Sequence, residues 1–364
     1  MQAKEFVVDL ANFQSTHFVE KNLPETLETN QVLFKIDKFS FTSNNITYAI
    51  VGERIGYWKF FPTKEGHGII PAWGFADVIE SNHPEVKVGE RFYGYFPMAS
   101  HLLVQADKVQ PFGFVDGISH RAALPPIYNY YTNVGQDAMH SPEQEELQSI
   151  FRPLFTTSFL IDDLFHEQDY FGTQNIVITS ASSKTAQALA FLLSTRKKDQ
   201  SLAINIIGLT SGSNEDFVNQ LGWYDQVLSY DKINQLDNNQ PHAIVDFTGN
   251  HQTQYALQTH LALQLKYNCL VGLVDWQHLE GEKPLPQKGE FFFAPTYAQQ
   301  RQKAWGAAGF QQRVGKAWQQ FIVNVKDSIQ IETPVGNDGM EKLYLEMLSG
   351  KIDPKKGYMV NIQG

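Results

Sequence analysis

Cysteine is nearly missing from this sequence. Cys269 stands alone, so no disulfide forms within the chain, and its apolar neighbours Leu270 and Val271 place the thiol in a buried strand. Close histidine pairs are missing as well. The eleven histidines are never nearer than nine positions, as in His242, His251 and His260, which excludes a helical i, i+4 zinc pair, and no second thiolate is present to complete a site. No bound metal is expected. Long apolar runs are also lacking: the stretch 188–193 is far shorter than the roughly 20 residues that cross a bilayer. The start, MQAKEFVVDLANFQSTHFVE, has none of the charged, apolar and small-residue pattern of a secretory signal. A cytoplasmic protein that neither spans nor binds a membrane is the expectation. Positive charge is scarce, with Lys+Arg 29 against Asp+Glu 39 and a net charge of -10, so phosphate polyanions are repelled. Arg196, Lys197 and Lys198 follow an apolar run and suit a helix C-terminus, so nucleic acid is not expected as a partner.

What is present suits two domains, since 364 residues exceed one ordinary core. Short apolar or alternating runs at 5–8, 32–36, 76–80, 88–95 and 101–104, punctuated by glycine and proline, predict a small, partly antiparallel barrel-like domain. Between Pro125 and Pro153 the texture becomes polar and tyrosine-rich, with Tyr128, Tyr130 and Tyr131 at one end. Ser141-Pro142-Glu143-Gln144-Glu145-Glu146 reads there as a capped helix start. This stretch is read as the linker at the domain boundary. From 151 to 164 apolar residues recur at helical spacing. Strands then follow at 175–179, 203–209, 226–230, 243–247, 269–274 and 291–294, separated by helical patterns, which predicts a doubly wound parallel sheet. The tail holds helices at 309–325 and 340–348 and a strand at 357–362 that returns to the first domain. The expected domains are 1–150 with 326–364, and 151–325.

Ser180-Ala181-Ser182-Ser183-Lys184-Thr185-Ala186 links the first strand of the parallel sheet to a helix, where N–H groups and the helix dipole favour a dinucleotide diphosphate. The glycine fingerprint is absent. Ala181, Ser183 and Ala186 stand where glycines permit a tight turn and close approach, while the serine hydroxyls supply donors. Lys184, in the first helical turn, is unfavourable beside the positive dipole end, which favours a phosphate contact over simple exposure. The second strand ends in Thr210-Ser211-Gly212-Ser213-Asn214 with no acid at its tip for ribose hydroxyls, so NADP(H) is favoured over NAD(H), unless this segment is merely a turn. Gly249 and Gly272 end the fourth and fifth strands and are candidate backbone contacts to the nicotinamide half. Trp276 and Phe293 read as cleft wall or core, with core preferred.

In this order the segments resemble the medium-chain dehydrogenase/reductase superfamily, in particular its zinc-free quinone-reductase-like branch, along almost the whole chain. Residues 41–48, containing Asn44-Asn45-Ile46-Thr47-Tyr48, resemble that branch's active-site loop. Val86-Lys87-Val88-Gly89-Glu90-Arg91-Phe92 is similar to its turn-and-strand signature, and Ala243-Ile244-Val245-Asp246-Phe247-Thr248-Gly249 to its fourth-strand ending. More narrowly, Asn44-Asn45-x-Thr-Tyr, the serine-rich loop and Ala294-Pro295 with Arg301-x-x-x-Trp305-Gly306 resemble an uncharacterised family of this type. Trp73-Gly74-Phe75 replaces the segment that carries a zinc ligand in alcohol dehydrogenases. The resemblance implies a GroES-like β-rich barrel beside a Rossmann sheet, and a homodimer. It also places Asn44, Asn45, Thr47 and Tyr48 near the domain cleft.

There Tyr48 donates a proton or hydrogen bond to the substrate, or else it packs as an ordinary barrel aromatic. Tyr128, Tyr130 and Tyr131 either roof that cleft or pack the linker down. The functional expectation is a zinc-independent, NADP(H)-dependent oxidoreductase for a small carbonyl, enone or quinone-like substrate. The alternative is a catalytically degenerate nucleotide- or ligand-binding protein of the same fold, acting as a sensor or complex subunit. A methyltransferase is the weakest reading, because a glycine-rich acidic loop is lacking.

Overall fold

The computed structural model describes residues 1–272, 283–350 and 352–362. Two compact units form, one from Met1–Arg152 with Ile329–Gly364 and one from Pro153–Ser328. The first unit runs β1 (Gln2–Asp9), β2 (Asn12–Asn22), β3 (Gln31–Phe41), α1 (Ser43–Ile55), β4 (His67–Gly68), β5 (Pro71–Ser81), β6 (Arg91–Pro97), β7 (His101–Gln110), β8 (Gly113–Asp116) and β9 (Tyr130–Asn133). After α2 (Glu145–Glu167) come β10 (Asn175–Ile178), α3 (Lys184–Gln200), β11 (Asn205–Thr210), α4 (Glu215–Leu221), β12 (Gln226–Ser229), β13 (His242–Asp246), α5 (His251–Leu261), β14 (Leu265–Leu270), β15 (Glu290–Phe291) and α6 (Ala294–Val325). The chain returns to the first unit with β16 (Gln330–Glu332), α7 (Gly336–Leu348) and β17 (Lys356–Val360).

Strand β3 pairs with both β5 and β7, so the order β3-β5-β6-β9-β8-β7 closes on itself as a six-stranded antiparallel barrel. Strand alternation fills its interior with aromatics. The Phe34 ring lies 5.5 Å from Phe92, 5.7 Å from Phe96, 6.0 Å from Phe114 and 5.3 Å from Tyr131. The tail strand β17 pairs with the last residues of β3, and β16 adds beside it. Two expectations need correction. The tyrosine-rich segment is not a linker, because β9 is a barrel strand and Tyr131 is buried inside it. The half-exposed strand β2, NFQSTHFVEKN, was not predicted, since too few of its residues are apolar to mark it.

Arg91, the arginine of the turn-and-strand signature, ties this unit together at the start of β6. Its Nη1 donates to both oxygens of Asp77 on β5 at 2.9 Å, and Nη2 donates to Asp37 on β3 at 2.6 Å. Nε and Nη2 grip the two oxygens of Glu145, the first residue of α2, at 2.7 and 2.8 Å. Lys38 and His140 each approach the same carboxylate to 3.0 Å. A carboxylate at this helix end also suits the dipole. Helix α2 continues past Pro153, which cannot donate to the Ser149 carbonyl four residues back. The Ser40 hydroxyl on β3 donates to that carbonyl instead, at 2.9 Å.

In the second unit the strand order β12-β11-β10-β13-β14-β15 is wholly parallel, the doubly wound 3-2-1-4-5-6 arrangement of a Rossmann sheet. The predicted strand 269–274 is displaced: β14 spans 265–270, with residues 273 and 274 outside the described residues. The predicted strand 291–294 shrinks to β15, because Ala294-Pro295 opens α6, where proline suits the first helical turn. In the predicted motif Arg301-x-x-x-Trp305-Gly306, the arginine guanidinium lies over Tyr297 and Trp305, pairs with Asp163 at 2.5 Å, and precedes a kink at Gly306. This packing accounts for the motif within the second unit. Among the described residues no helix is long and apolar enough to cross a membrane.

Between β10 and β11 one small residue makes room for another. Ala181 is fully buried against Phe217 and Val218, and a β-carbon on Gly208 would lie 3.0 Å from the Ala181 methyl and 2.9 Å from the Tyr224 ring. Gly208→Ala is therefore expected to cost about 1–3 kcal/mol in urea unfolding. Adding Ala181→Gly recovers part of that loss, and no recovery would separate the two positions.

Burial alone raises the Glu145 carboxyl, but hydrogen bonds from Arg91, His140 and Lys38 outweigh it and hold the group down at about 2, against an ordinary 4.5. Its contribution is thus complete above pH 4.5 and disappears as pH falls towards 2. Urea midpoints of Glu145→Gln should be lower than wild type near neutrality and vary less with pH over that acid window; parallel profiles would contradict the assignment. Arg91→Met removes the two-pronged grip on the Glu145 carboxylate and its links to Asp37 and Asp77, leaving Lys38 and His140 as its partners, and is expected to lose about 3 kcal/mol.

Candidate functional site

The segment 41–48, expected as a loop, is instead the start of a helix. Thr42 caps α1, and the Asn45 Oδ1 accepts from the Thr42 amide at 2.8 Å and its hydroxyl at 3.0 Å. The Asn45 Nδ2 donates to the Pro71 carbonyl at 2.9 Å, and the Thr47 hydroxyl turns back to the Ser43 carbonyl. Two of the four side chains of the expected catalytic set, Asn45 and Thr47, are thereby engaged within and beside the helix, which leaves Asn44 and Tyr48. One helical turn apart, they meet at 2.6 Å, with the Asn44 Nδ2 donating to the Tyr48 hydroxyl.

Tyr48 belongs to an aromatic group rather than to a strand. Its ring stacks on Tyr57 at 4.3 Å, and the Tyr57 and Tyr128 hydroxyls share a hydrogen bond of 2.9 Å. Tyr128 in turn lies 4.8 Å from Tyr95 and 6.0 Å from Trp73, which stacks on Tyr93. Burial pushes the Tyr48 hydroxyl well above its ordinary pKa, the Tyr128 phenol adding to the shift, so Tyr48 keeps its proton near neutrality. Of the three tyrosines read as either roofing a cleft or packing a linker down, Tyr128 joins this group, whereas Tyr130 lies on β9 and Tyr131 fills the barrel. Trp73 Nε1 and Tyr93 Oη are buried without hydrogen-bond partners among the described residues.

The serine-rich loop follows β10 at the carboxyl edge of the parallel sheet. Ser180 adopts a left-handed φ of 51°, its N–H donating to the Tyr230 hydroxyl at 2.9 Å and its carbonyl accepting from the Ser183 amide at 2.7 Å. Ser182 Oγ accepts from Thr210 Oγ1 at 3.3 Å and Asn214 Nδ2 at 3.1 Å. Ser183 caps α3 through the Ala186 amide. Lys184 and Thr185 open the helix, at the end where its amides and dipole favour an anion. The methyl groups of Ala181 and Ala186 are fully buried in the packing of the unit, not directed at the mouth of the loop.

The neighbouring β13 loop is fixed by Asp246, whose Oδ1 accepts from Thr179 Oγ1 at 2.6 Å and Thr248 Oγ1 at 2.7 Å. Its Oδ2 is buried with no partner among the described residues. Gly249 has a φ of 60°, and the Gly272 amide donates to the Asp246 carbonyl at 2.9 Å. A side chain on Gly272 would meet the Phe247 carbonyl at 2.6 Å, so this backbone approach requires glycine.

These residues fit a dinucleotide. Hydroxyls and helix amides converge beside the strand-order switch between β10 and β13, and the side chains that replace glycine hydrogens are turned inward or used as a cap.

At the tip of the second strand the expectation changes. Thr210 is buried with its hydroxyl turned into the loop, while Ser211 and Ser213 are exposed with hydroxyls 3.1 Å apart. Sequence reasoning missed Tyr230, and it missed the ion pair of Lys232 with Glu215. Tyr230 is the first residue after β12, and no local pattern marks either it or the pair. Phe293, preferred as core, is 47 % exposed at the start of α6, and Trp276 lies outside the described residues. Cys269 is buried, and burial pushes its thiol up, away from nucleophilic use. Among the described residues no three His, Cys, Asp or Glu side chains gather as a metal site.

Solved structures share this fold. CurA from Vibrio vulnificus in complex with NADPH superposes with a TM-score of 0.61 at 12 % identity, covering 99 % of each chain. An enoyl thioester reductase mutant from Candida tropicalis gives a TM-score of 0.55 at 11 % identity, covering 99 % of this chain and 100 % of that one. The CurK enoyl reductase gives 0.57 at 12 %, covering both chains completely. At these identities the likeness establishes the two-domain architecture, the one expected from the resemblance. No curated protein matches the chain. Residues 39–353 match the family described as Protein of unknown function (DUF2855), and the chain belongs to that family.

Proposed function

We infer that this protein is a zinc-independent oxidoreductase that uses NADP(H) on a small carbonyl, enone or quinone-like substrate. The observation that carries the reading is the segment 180–186, which offers hydroxyls and helix amides at the strand-order switch while its alanine methyls stay buried. The NADPH complex of CurA and the enoyl reductases of like fold support it.

Bound NADP(H) would supply the hydride. Ser182, Ser183 and the first-turn amides of α3, with Lys184 and Thr185, hold the diphosphate. Ser180 and Ala181 shape the turn beneath it. Ser211 and Ser213 meet the adenosine ribose, and Gly249 and Gly272 admit the backbone close to the nicotinamide half. Thr210 acts on the diphosphate side through Ser182. The Tyr48 hydroxyl, kept protonated by its burial, would donate a hydrogen bond to the substrate oxygen as charge develops there, while its own oxygen accepts from the Asn44 Nδ2.

Titration with NADPH, followed by nicotinamide fluorescence, should show saturable binding; none at millimolar concentration would remove the proposal. Lys184→Ala should weaken NADPH and NADH alike, because the diphosphate is common to both. Once a substrate is found in a carbonyl and quinone panel, Tyr48→Phe should lower kcat by about a hundredfold with NADPH affinity unchanged. Binding of NADPH with no turnover of any compound would favour the ligand-binding alternative.

A further inference from the structure

Strands β11 and β12 end side by side, with Thr210 opposite Ser229, so the segments 211–215 and 230–232 leave the sheet at one edge. The charged groups gathered there were not visible in the sequence. Lys232 Nζ lies 3.0 and 3.2 Å from the two oxygens of Glu215, with 41 % and 24 % of the side chains exposed. Asp231 precedes the lysine, and the exposed Ser211 and Ser213 complete the edge. The Lys232 ammonium is therefore held at this edge by a carboxylate that takes two of its hydrogen bonds.

Resting on the reading that the chain binds a nicotinamide dinucleotide, we propose that Lys232 selects the 2'-phosphorylated cofactor and that Glu215 is its internal competitor. A phosphomonoester carries a charge of about -1.5 to -2 and three acceptor oxygens, against one charge and two oxygens on the carboxylate, so it draws the ammonium away from Glu215. A ribose with free hydroxyls brings no charge and leaves the pair closed. The two cofactors thus meet different surfaces: NADPH meets a cation, and NADH meets a neutralised pair flanked by Asp231.

An exposed pair of this kind adds little to stability, so variants at both positions should fold, which thermal unfolding will verify. Affinities of NADPH, NADH, adenosine 2',5'-bisphosphate and 5'-AMP are to be measured calorimetrically on the wild type, Lys232→Ala and Glu215→Gln. Lys232→Ala is expected to weaken NADPH and the bisphosphate by about tenfold or more, leaving NADH and 5'-AMP nearly unchanged. Glu215→Gln is expected to strengthen the two 2'-phosphorylated ligands several-fold. Equal changes for all four ligands, or none for the phosphorylated pair, overturn the selector role while the dinucleotide reading stands. Failure of the wild type to bind either dinucleotide overturns both.

Discussion

A single hydrogen bond, from the Thr179 hydroxyl to the buried Asp246 carboxylate, spans the two strands between which the order of the parallel sheet reverses. The chain leaves β10 and β13 on opposite faces there, and a gap at that point is inherent in the topology. The bond keeps its floor closed. Thr179 also accepts from the Phe247 amide at 2.9 Å, so the first residue of one loop anchors the first of the other. Ser180, Thr248 and Gly272 all take their positions from these two residues. The polar groups described above are therefore held from below by strands, the rigid support that a binding site needs.

The loop also shows how a glycine fingerprint can be replaced. Glycines in such turns supply a left-handed torsion, space for a ligand and space for the next helix. Here the torsion falls on Ser180, whose amide is secured by Tyr230. The space is found elsewhere: Gly208 on the adjacent strand lacks the side chain that would meet Ala181. Volume has moved from one strand to its neighbour. A motif read along one segment cannot register this, because the compensating residue is distant in sequence and adjacent only through sheet pairing.

The same distinction separates what the residues reveal from what they conceal. Continuous apolar runs such as Ile176-Val177-Ile178 and Ala243-Ile244-Val245 mark parallel strands buried on both faces, and they were legible. The barrel strands were legible where apolar and aromatic residues dominate, as in β3 and β6, and lost in β2, whose faces are both half polar. The segment 41–48 was read as a loop from the resemblance, whereas Asn45 completes a cap with Thr42 and opens a helix. In the candidate site, Tyr48 and Asn44 were named from resemblance alone, and their mutual hydrogen bond follows from helical spacing that only the correct element reveals. The Glu215–Lys232 pair joins residues 17 positions apart and depends on β11 lying beside β12. No local pattern encodes that neighbourhood.

The repair of α2 at Pro153 has an evolutionary consequence. A proline that deprives Ser149 of its helical donor is tolerated because a hydroxyl reaches that carbonyl from position 40, 109 residues earlier. Positions 40 and 153 should therefore drift together among relatives. A chain that retains the imino acid is obliged to keep a small donor on the third strand, whereas one that has lost it is free to place an alanine there.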